Sequence, residues 1–337
     1  MALTRAVGAA IVRFRGLGQR IGRDRLRFIG QAALAAWFAD LSFILIGLYV
    51  RNQVPLGQDI VIYYRGVQAW LHGADPWSAS VVVDHSTFSY AGSPATTVLF
   101  GPSALLSEGQ FTALWLVLTA LSALAIIRRL HLPLWWLLFP PIAEALYSGN
   151  PQVVVLMLLL AGAGRAGAVA DSIGVALKVY AVIPLLGQRE LRRVALALVL
   201  TIATFVLAPS LWINYAQQFG EISARLARES ENGYSAFYYP ALLVPTAIAI
   251  LLLWRRDPKV AAWLAVPALW PSTEFHYSTF ALPVMTPLLA VPLAFPKALV
   301  PPIAIMVYVL WRFAAAPIHE RLQAWEADWS ASQRPEA

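Results

Sequence analysis

Runs of about twenty apolar residues dominate this chain, and about twenty is the number a helix needs to cross the hydrocarbon core of a bilayer. The first run is Gln31–Val50. Gln110–Ile127, Leu132–Tyr147, Val153–Gly164, Val194–Trp212, Tyr239–Trp254, Val260–Pro271, Thr279–Phe295 and Ala298–Ala314 follow. Pro94–Leu106 and Ser172–Leu186 are apolar too, but shorter or interrupted by a charge. Of 337 residues, 59% are hydrophobic and only 13% charged, against about 25% charged in an ordinary soluble domain. A soluble fold with so few charges would expose apolar surface that water does not tolerate. A single soluble domain, a disordered chain and a nucleic-acid binder are thereby excluded, despite a net charge of +7. The expectation is an all-α integral membrane bundle of about nine to eleven membrane segments, some re-entrant. The chain has no cysteine, which removes disulfides, zinc–thiolate sites and thiol nucleophiles.

Arginine and lysine in short loops set the orientation of such a bundle. Arg5, Arg13, Arg15, Arg20, Arg23, Arg25 and Arg27 make residues 1–29 read as a basic amphipathic segment on the cytoplasmic leaflet. The first apolar run is too long for a signal-peptide core, so no cleavable leader is expected. Arg128, Arg129, Arg165, Arg189, Arg192, Arg193, Arg255, Arg256, Lys259 and Lys297 all fall inside if Pro94–Leu106 and Ser172–Leu186 are re-entrant or broken. Segments 51–92, 148–152, 213–238 and 272–278 then lie outside. Residues 30–314 read as one transmembrane domain without an internal repeat, and 315–337 as a polar tail outside.

Ionisable groups within spans are expensive and mark candidate sites. Asp40 lies mid-way along the first run, where a neighbouring hydroxyl or amide is expected to satisfy it. Glu144 lies near the outer end of Leu132–Tyr147, either paired locally or part of a site. Lys178 interrupts Ser172–Leu186, Glu274 and His276 share a short outer turn, and Asp59 lies just beyond the first run. All but Asp40 could reach one outward-facing cavity. The outer segments are rich in tyrosine, tryptophan and phenylalanine, which serve either as interfacial anchors or for stacking on sugars. An acid, a buried lysine, a histidine and many aromatics suit a lipid-linked phosphate substrate: cations hold the phosphate and the acid takes a proton from an acceptor hydroxyl.

The stretch Asp59-Ile-Val-Ile-Tyr63-Tyr-Arg65, followed by Gly73-Ala-Asp75-Pro76-Trp77, resembles the first outer loop of GT-C glycosyltransferases. The resemblance is to the family 87 enzymes, the PimE-type polyprenyl-phosphate-mannose mannosyltransferases, and to the related PIG-M type. Phe88-Ser-Tyr90-Ala-Gly-Ser-Pro94, Gly149-Asn150-Pro151-Gln152, Leu177-Lys178-Val179-Tyr180-Ala181 and Ser272-Thr-Glu274-Phe-His276-Tyr277 follow in the family's order, with alanine at 181 where proline is usual. The resemblance implies Asp59 as catalytic base, Lys178 and His276 on the lipid phosphate, and Tyr63, Arg65, Asn150 and Gln152 lining the cavity, with Glu274 and Tyr277 beside them. It implies transfer of a sugar, most often mannose, with inversion. The donor is a polyprenyl-phosphate sugar and the acceptor a cell-envelope glycolipid or glycan. The implied place is the outer face of a bacterial cytoplasmic membrane. No Asp-x-Asp nucleotide-sugar signature and no carboxylate cluster for a metal is evident, although Asp75 and Asp84 near Asp59 leave a divalent ion open. A lipid or glycolipid transporter, which often shows repeats, and a non-catalytic scaffold of the same fold are the alternatives.

Overall fold

A computed structural model describes residues 23–83, 86–162, 164–229, 233–271 and 273–314. Most of the expected basic segment, Asp84 and the 315–337 tail lie outside the described residues. The regular structure of the described residues is helical except for one hairpin within residues 51–92, so the all-α expectation needs that small amendment.

The first helix, α1 (Arg23–Arg51), begins before residue 30 and is continuous with the end of the basic segment. Its 29 residues extend about 43 Å at ~1.5 Å per residue, longer than the hydrocarbon core. Phe38, Leu41 and Leu45 recur at helical spacing and are buried, while Phe43 and Leu48 face outward. Phe38 inserts among Trp135, Trp136 and Phe139, with ring centroids 5.0–5.7 Å away. The next segment forms α2 (Gln58–Leu71), a turn at Pro76–Ser78 and strands β1 (Ser80–Val83) and β2 (Ser86–Ser89), which pair antiparallel. Next come α3 (Pro94–Phe100) and α4 (Glu108–Arg129). A capping box closes the start of α4: Ser107 and Gln110 each accept the other's backbone N–H.

Proline fragments the apolar runs that follow, because it fixes φ and has no N–H to donate. Leu132–Tyr147 is split into a 3-10 turn, Leu134–Leu138, and α5 (Pro140–Ser148). It is followed by α6 (Gln152–Leu159), α7 (Gly164–Leu177), α8 (Val182–Gly187) and α9 (Leu191–Leu207). Pro209 ends α9 and starts α10 (Pro209–Glu229), so the expected outer loop 213–238 is largely helical. The chain closes with α11 (Pro240–Arg256), α12 (Pro258–Leu269), a 3-10 stretch Phe275–Val284, α13 (Pro287–Leu293) and α14 (Val300–Ala314).

Among the described residues, α1 and α4 are each long and apolar enough to cross a membrane. The α5–α6 pair, bent by 116°, and the α9–α10 pair, bent by 103°, pass the same test only when each is taken as one broken span. Ser172–Leu186 is also interrupted, at Lys178, where an extended residue and a 3-10 turn separate α7 from α8. Helix α12 is buried along its length and packs on α8, α11 and the 275–284 stretch. That stretch also packs on α5 and α6, and its N-terminal end carries Glu274 and His276.

Candidate functional site

Two glycines bring the elements of the site together. Gly57 caps α2 with a left-handed φ of 78°, and its N–H donates to the Tyr147 carbonyl at 2.8 Å. Gly149 ends α5 at φ 70°, and a Cβ there would lie 3.3 Å from Gly57 Cα and 3.1 Å from Ile60 Cγ2. Only a chain without a Cβ reaches this conformation and this approach at low cost. The contact sets Asp59, in the first turn of α2, against Asn150. The Asn150 Nδ2 donates to Asp59 Oδ2 at 2.8 Å. Tyr63 follows one helical turn after Asp59 and shares its face.

A second knot lies beside the first. Glu144, buried on α5, accepts from Tyr49 of α1 at Oε1 (3.1 Å), and its Oε2 is 2.9 Å from His276 Nδ1. Glu274 Oε2 stands 3.7 Å from the same nitrogen. One ligating atom from each of Asp59, Glu274 and His276 lie within 4.8 Å of one another, a geometry that could hold a metal ion. Burial raises the Asp59 carboxyl above its usual range, against the lowering effect of His276 and the Asn150 bond. Enclosure by the cavity walls raises Glu274 to about 7 even though more than half of its side chain stays open to solvent, again opposed by His276. Burial works to lower the His276 imidazole, yet the Glu144 carboxylate, with Glu274 and Asp59 behind it, lifts it to about 9. Burial pushes the Tyr277 phenol up to about 12, so it stays a neutral hydroxyl.

These groups border a cavity of about 850 Å³, within the size range of small-molecule sites. Asp59, Tyr63, Asn150, Lys178, Glu274 and Tyr277 line it, as does Glu144. Lys178 sits at the break between α7 and α8 with its Nζ 5.3 Å from the centroid of the Tyr63 ring, within cation–π range. Thr96 of α3 holds that break by donating to the Ala176 and Leu177 carbonyls at 3.2 and 3.0 Å. Tyr215 and Phe219 from α10 and Tyr234 and Trp270 from the late loops form the aromatic walls.

Three expected contributors stand elsewhere. Arg65 does not line the cavity: it points outward, 3.0 Å from Glu108, with both side chains more than two-fifths exposed. Gln152 is wholly buried behind the wall and accepts from the Tyr180 hydroxyl. His276 is wholly buried and reaches the cavity's carboxylates from behind. Asp75 caps the Pro76–Ser78 turn by accepting from Trp77 N–H, and Trp77 Nε1 donates to the Gly92 carbonyl at 3.0 Å. Those motif residues therefore build the hairpin's base. Asp40 is exposed on α1, and no hydroxyl or amide satisfies it among the described residues.

Tyr49, Thr96 and the link from Glu144 to His276 were not expected from the sequence. A tyrosine near the end of an apolar run reads as an interfacial anchor, so Tyr49 carried no distinguishing signal. An ionised Asp59 beside a mobile hydroxyl can take its proton, and Lys178 can hold an anion nearby. Comparison with protein-family models, with curated proteins and with solved structures finds no match to this chain.

Proposed function

We propose that the chain is a membrane glycosyltransferase of GT-C type. In this reading it sits in a bacterial cytoplasmic membrane with about nine to eleven membrane segments, some re-entrant, and its cavity on the outer face. It transfers a sugar, mannose by resemblance, from a polyprenyl-phosphate donor to an envelope glycolipid or glycan. The observation that carries the reading is the convergence of Asp59 and Lys178, from distant parts of the chain, on one aromatic-walled cavity.

Asp59 is the general base. The acceptor oxygen attacks the anomeric carbon as its proton passes to Asp59. The bond from that carbon to the phosphate oxygen breaks, and its electron pair leaves with the lipid phosphate. Lys178 stabilises the charge that grows there. A phosphate leaves readily, so no strong general acid is required. Attack opposite the leaving group inverts the anomeric centre. Asn150 orients Asp59, and the cavity aromatics provide faces for the sugar and apolar surface for the lipid.

The test is a radiolabelled transfer assay with purified protein in detergent. It would use polyprenyl-phosphate mannose, then other lipid-linked sugars, and a panel of envelope glycolipids. Transfer by the wild type that disappears in Asp59→Asn supports the reading. Equal transfer by Asp59→Asn removes Asp59 as base. No transfer from any lipid-linked sugar overturns the enzyme reading in favour of a protein that binds or moves lipids.

A further inference from the structure

We propose that Asp59, Glu274 and His276 bind one divalent cation of the magnesium–manganese class, and that this ion receives the phosphate of the lipid-linked donor. The inference rests on reading the cavity as a lipid-phosphate site and adds the cation to it; Asp59 then gives one carboxylate oxygen to the ion and keeps the other, held by Asn150, for the acceptor proton.

Geometry is the first support. The three ligating atoms lie within 4.8 Å of one another. Ligands around an ion at ~2.1 Å stand about 3.0–4.2 Å apart, so a small side-chain rotation closes the set. Glu274 has the freedom to make it, since more than half of its side chain is exposed. Two carboxylates and an imidazole suit manganese, and leave room for water and phosphate oxygens.

The second support is the state of His276. Its ring is wholly buried and lies against Glu274. Glu144 engages Nδ1 at 2.9 Å, the carboxylate–histidine pairing that orients metal-binding imidazoles and raises their basicity. Glu144 is itself fixed by Tyr49 on its other oxygen. Nδ1 is the nitrogen that faces both Glu144 and Glu274, and Nε2, buried and without a hydrogen-bond partner among the described residues, is the one left for an ion. A buried nitrogen without a partner is costly unless something binds it.

Charge is the third support. Asp59, Glu144 and Glu274 stand against Lys178 and His276, so acids outnumber bases where an anionic phosphate must bind. A divalent ion reverses that balance and bridges carboxylate to phosphate.

Manganese binding tests this directly. Detergent-purified protein, treated with chelator and then titrated with Mn²⁺, would be followed by electron paramagnetic resonance of the free ion. The wild type should hold one Mn²⁺ per chain. Glu274→Gln should weaken binding about tenfold or more, and Glu144→Gln, acting through His276, should also weaken it by about 10–100-fold. Glu108→Gln, a carboxylate outside the cavity, should bind like the wild type. No Mn²⁺ held by the wild type, or equal binding by Glu274→Gln, overturns the proposal. If chelated protein transfers sugar at the full rate without binding Mn²⁺, the cation site falls and the transferase reading stands. If Mn²⁺ binds and is lost with Glu274, but no lipid-linked sugar is transferred, the cation site stands and the transferase reading falls.

Discussion

Asn150 bridges Asp59 to the start of α6: its Nδ2 donates to Asp59 Oδ2 at 2.8 Å while its Oδ1 accepts the Gln152 N–H at 3.1 Å. The second bond decides which end of the amide faces the acid. Aspartate at 150 would place carboxylate against carboxylate, and alanine would leave Asp59 without its donor. A hydrogen bond to a charged group contributes about 1.5–3 kcal/mol. Asn150→Ala should therefore lower transfer by about tenfold or more. The bond favours the ionised acid, so losing it raises the Asp59 pKa. The acid limb of the pH–rate profile should move to higher pH, and an unmoved limb would remove Asn150 from this role.

Gly149 admits no side chain without cost. Its φ of 70° is left-handed, and a Cβ would press on Ile60 and Gly57. Gly149→Ala should destabilise the protein by about 1–2 kcal/mol. It should also reduce transfer by more than that loss explains, because it separates Asp59 from Asn150. Thermal unfolding in detergent, run beside the transfer assay, checks both effects. Unfolding and transfer unchanged from wild type would show that the contact is slack.

Protonation of the carboxylate–histidine knot predicts how stability varies with pH in chelated protein. His276 is raised to about 9 from an ordinary 6.5, so its stabilising protonation is complete below 6.5 and is lost as pH rises through 9. Glu274 is raised to about 7 from 4.5, so the folded protein also binds the extra proton between those values. Both groups make the folded state less stable as pH rises. The melting temperature should fall from about pH 4.5 to about pH 9, and Glu274→Gln should flatten the lower part of that slope. A melting temperature rising across this interval would contradict the arrangement. Added Mn²⁺ should offset the fall, by binding the deprotonated ligands.

Asp40 lies on the exposed face of α1, mid-way along a stretch, 32–50, whose other exposed residues are apolar. A charge near the bilayer centre costs about 2.5–3.5 kcal/mol on insertion scales. Asp40→Leu should raise the melting temperature in lipid nanodiscs and leave transfer unchanged. Loss of transfer would place Asp40 in the working protein.

The paired residues divide what was legible locally from what was not. Asp59 and Tyr63 are four apart, and helical spacing alone places them on one face. Arg65 is two residues further on and turns away to Glu108 on α4, a surface partner that spacing cannot identify. Asp75 and Trp77 looked like parts of a site and instead form the base of the hairpin, because their hydrogen-bonding partners are nearby backbone groups.

The sequence by itself determined that the chain is apolar and helical and suited to a membrane, because the hydrophobic pattern and the scarcity of charge act residue by residue. It also marked helix starts, since Pro140, Pro209, Pro240, Pro258 and Pro287 each open a helix, although Pro245, Pro267 and Pro292 lie inside helices that continue. The tertiary structure decided how successive helices are angled, bending α5 from α6 by 116° and α9 from α10 by 103°. It also decided which polar groups meet. Asn150 reaches Asp59 across 91 positions, and Glu144 reaches His276 across 132. Contacts of that range depend on the packing of the whole bundle, down to the Gly57–Gly149 approach, and no local periodicity encodes them.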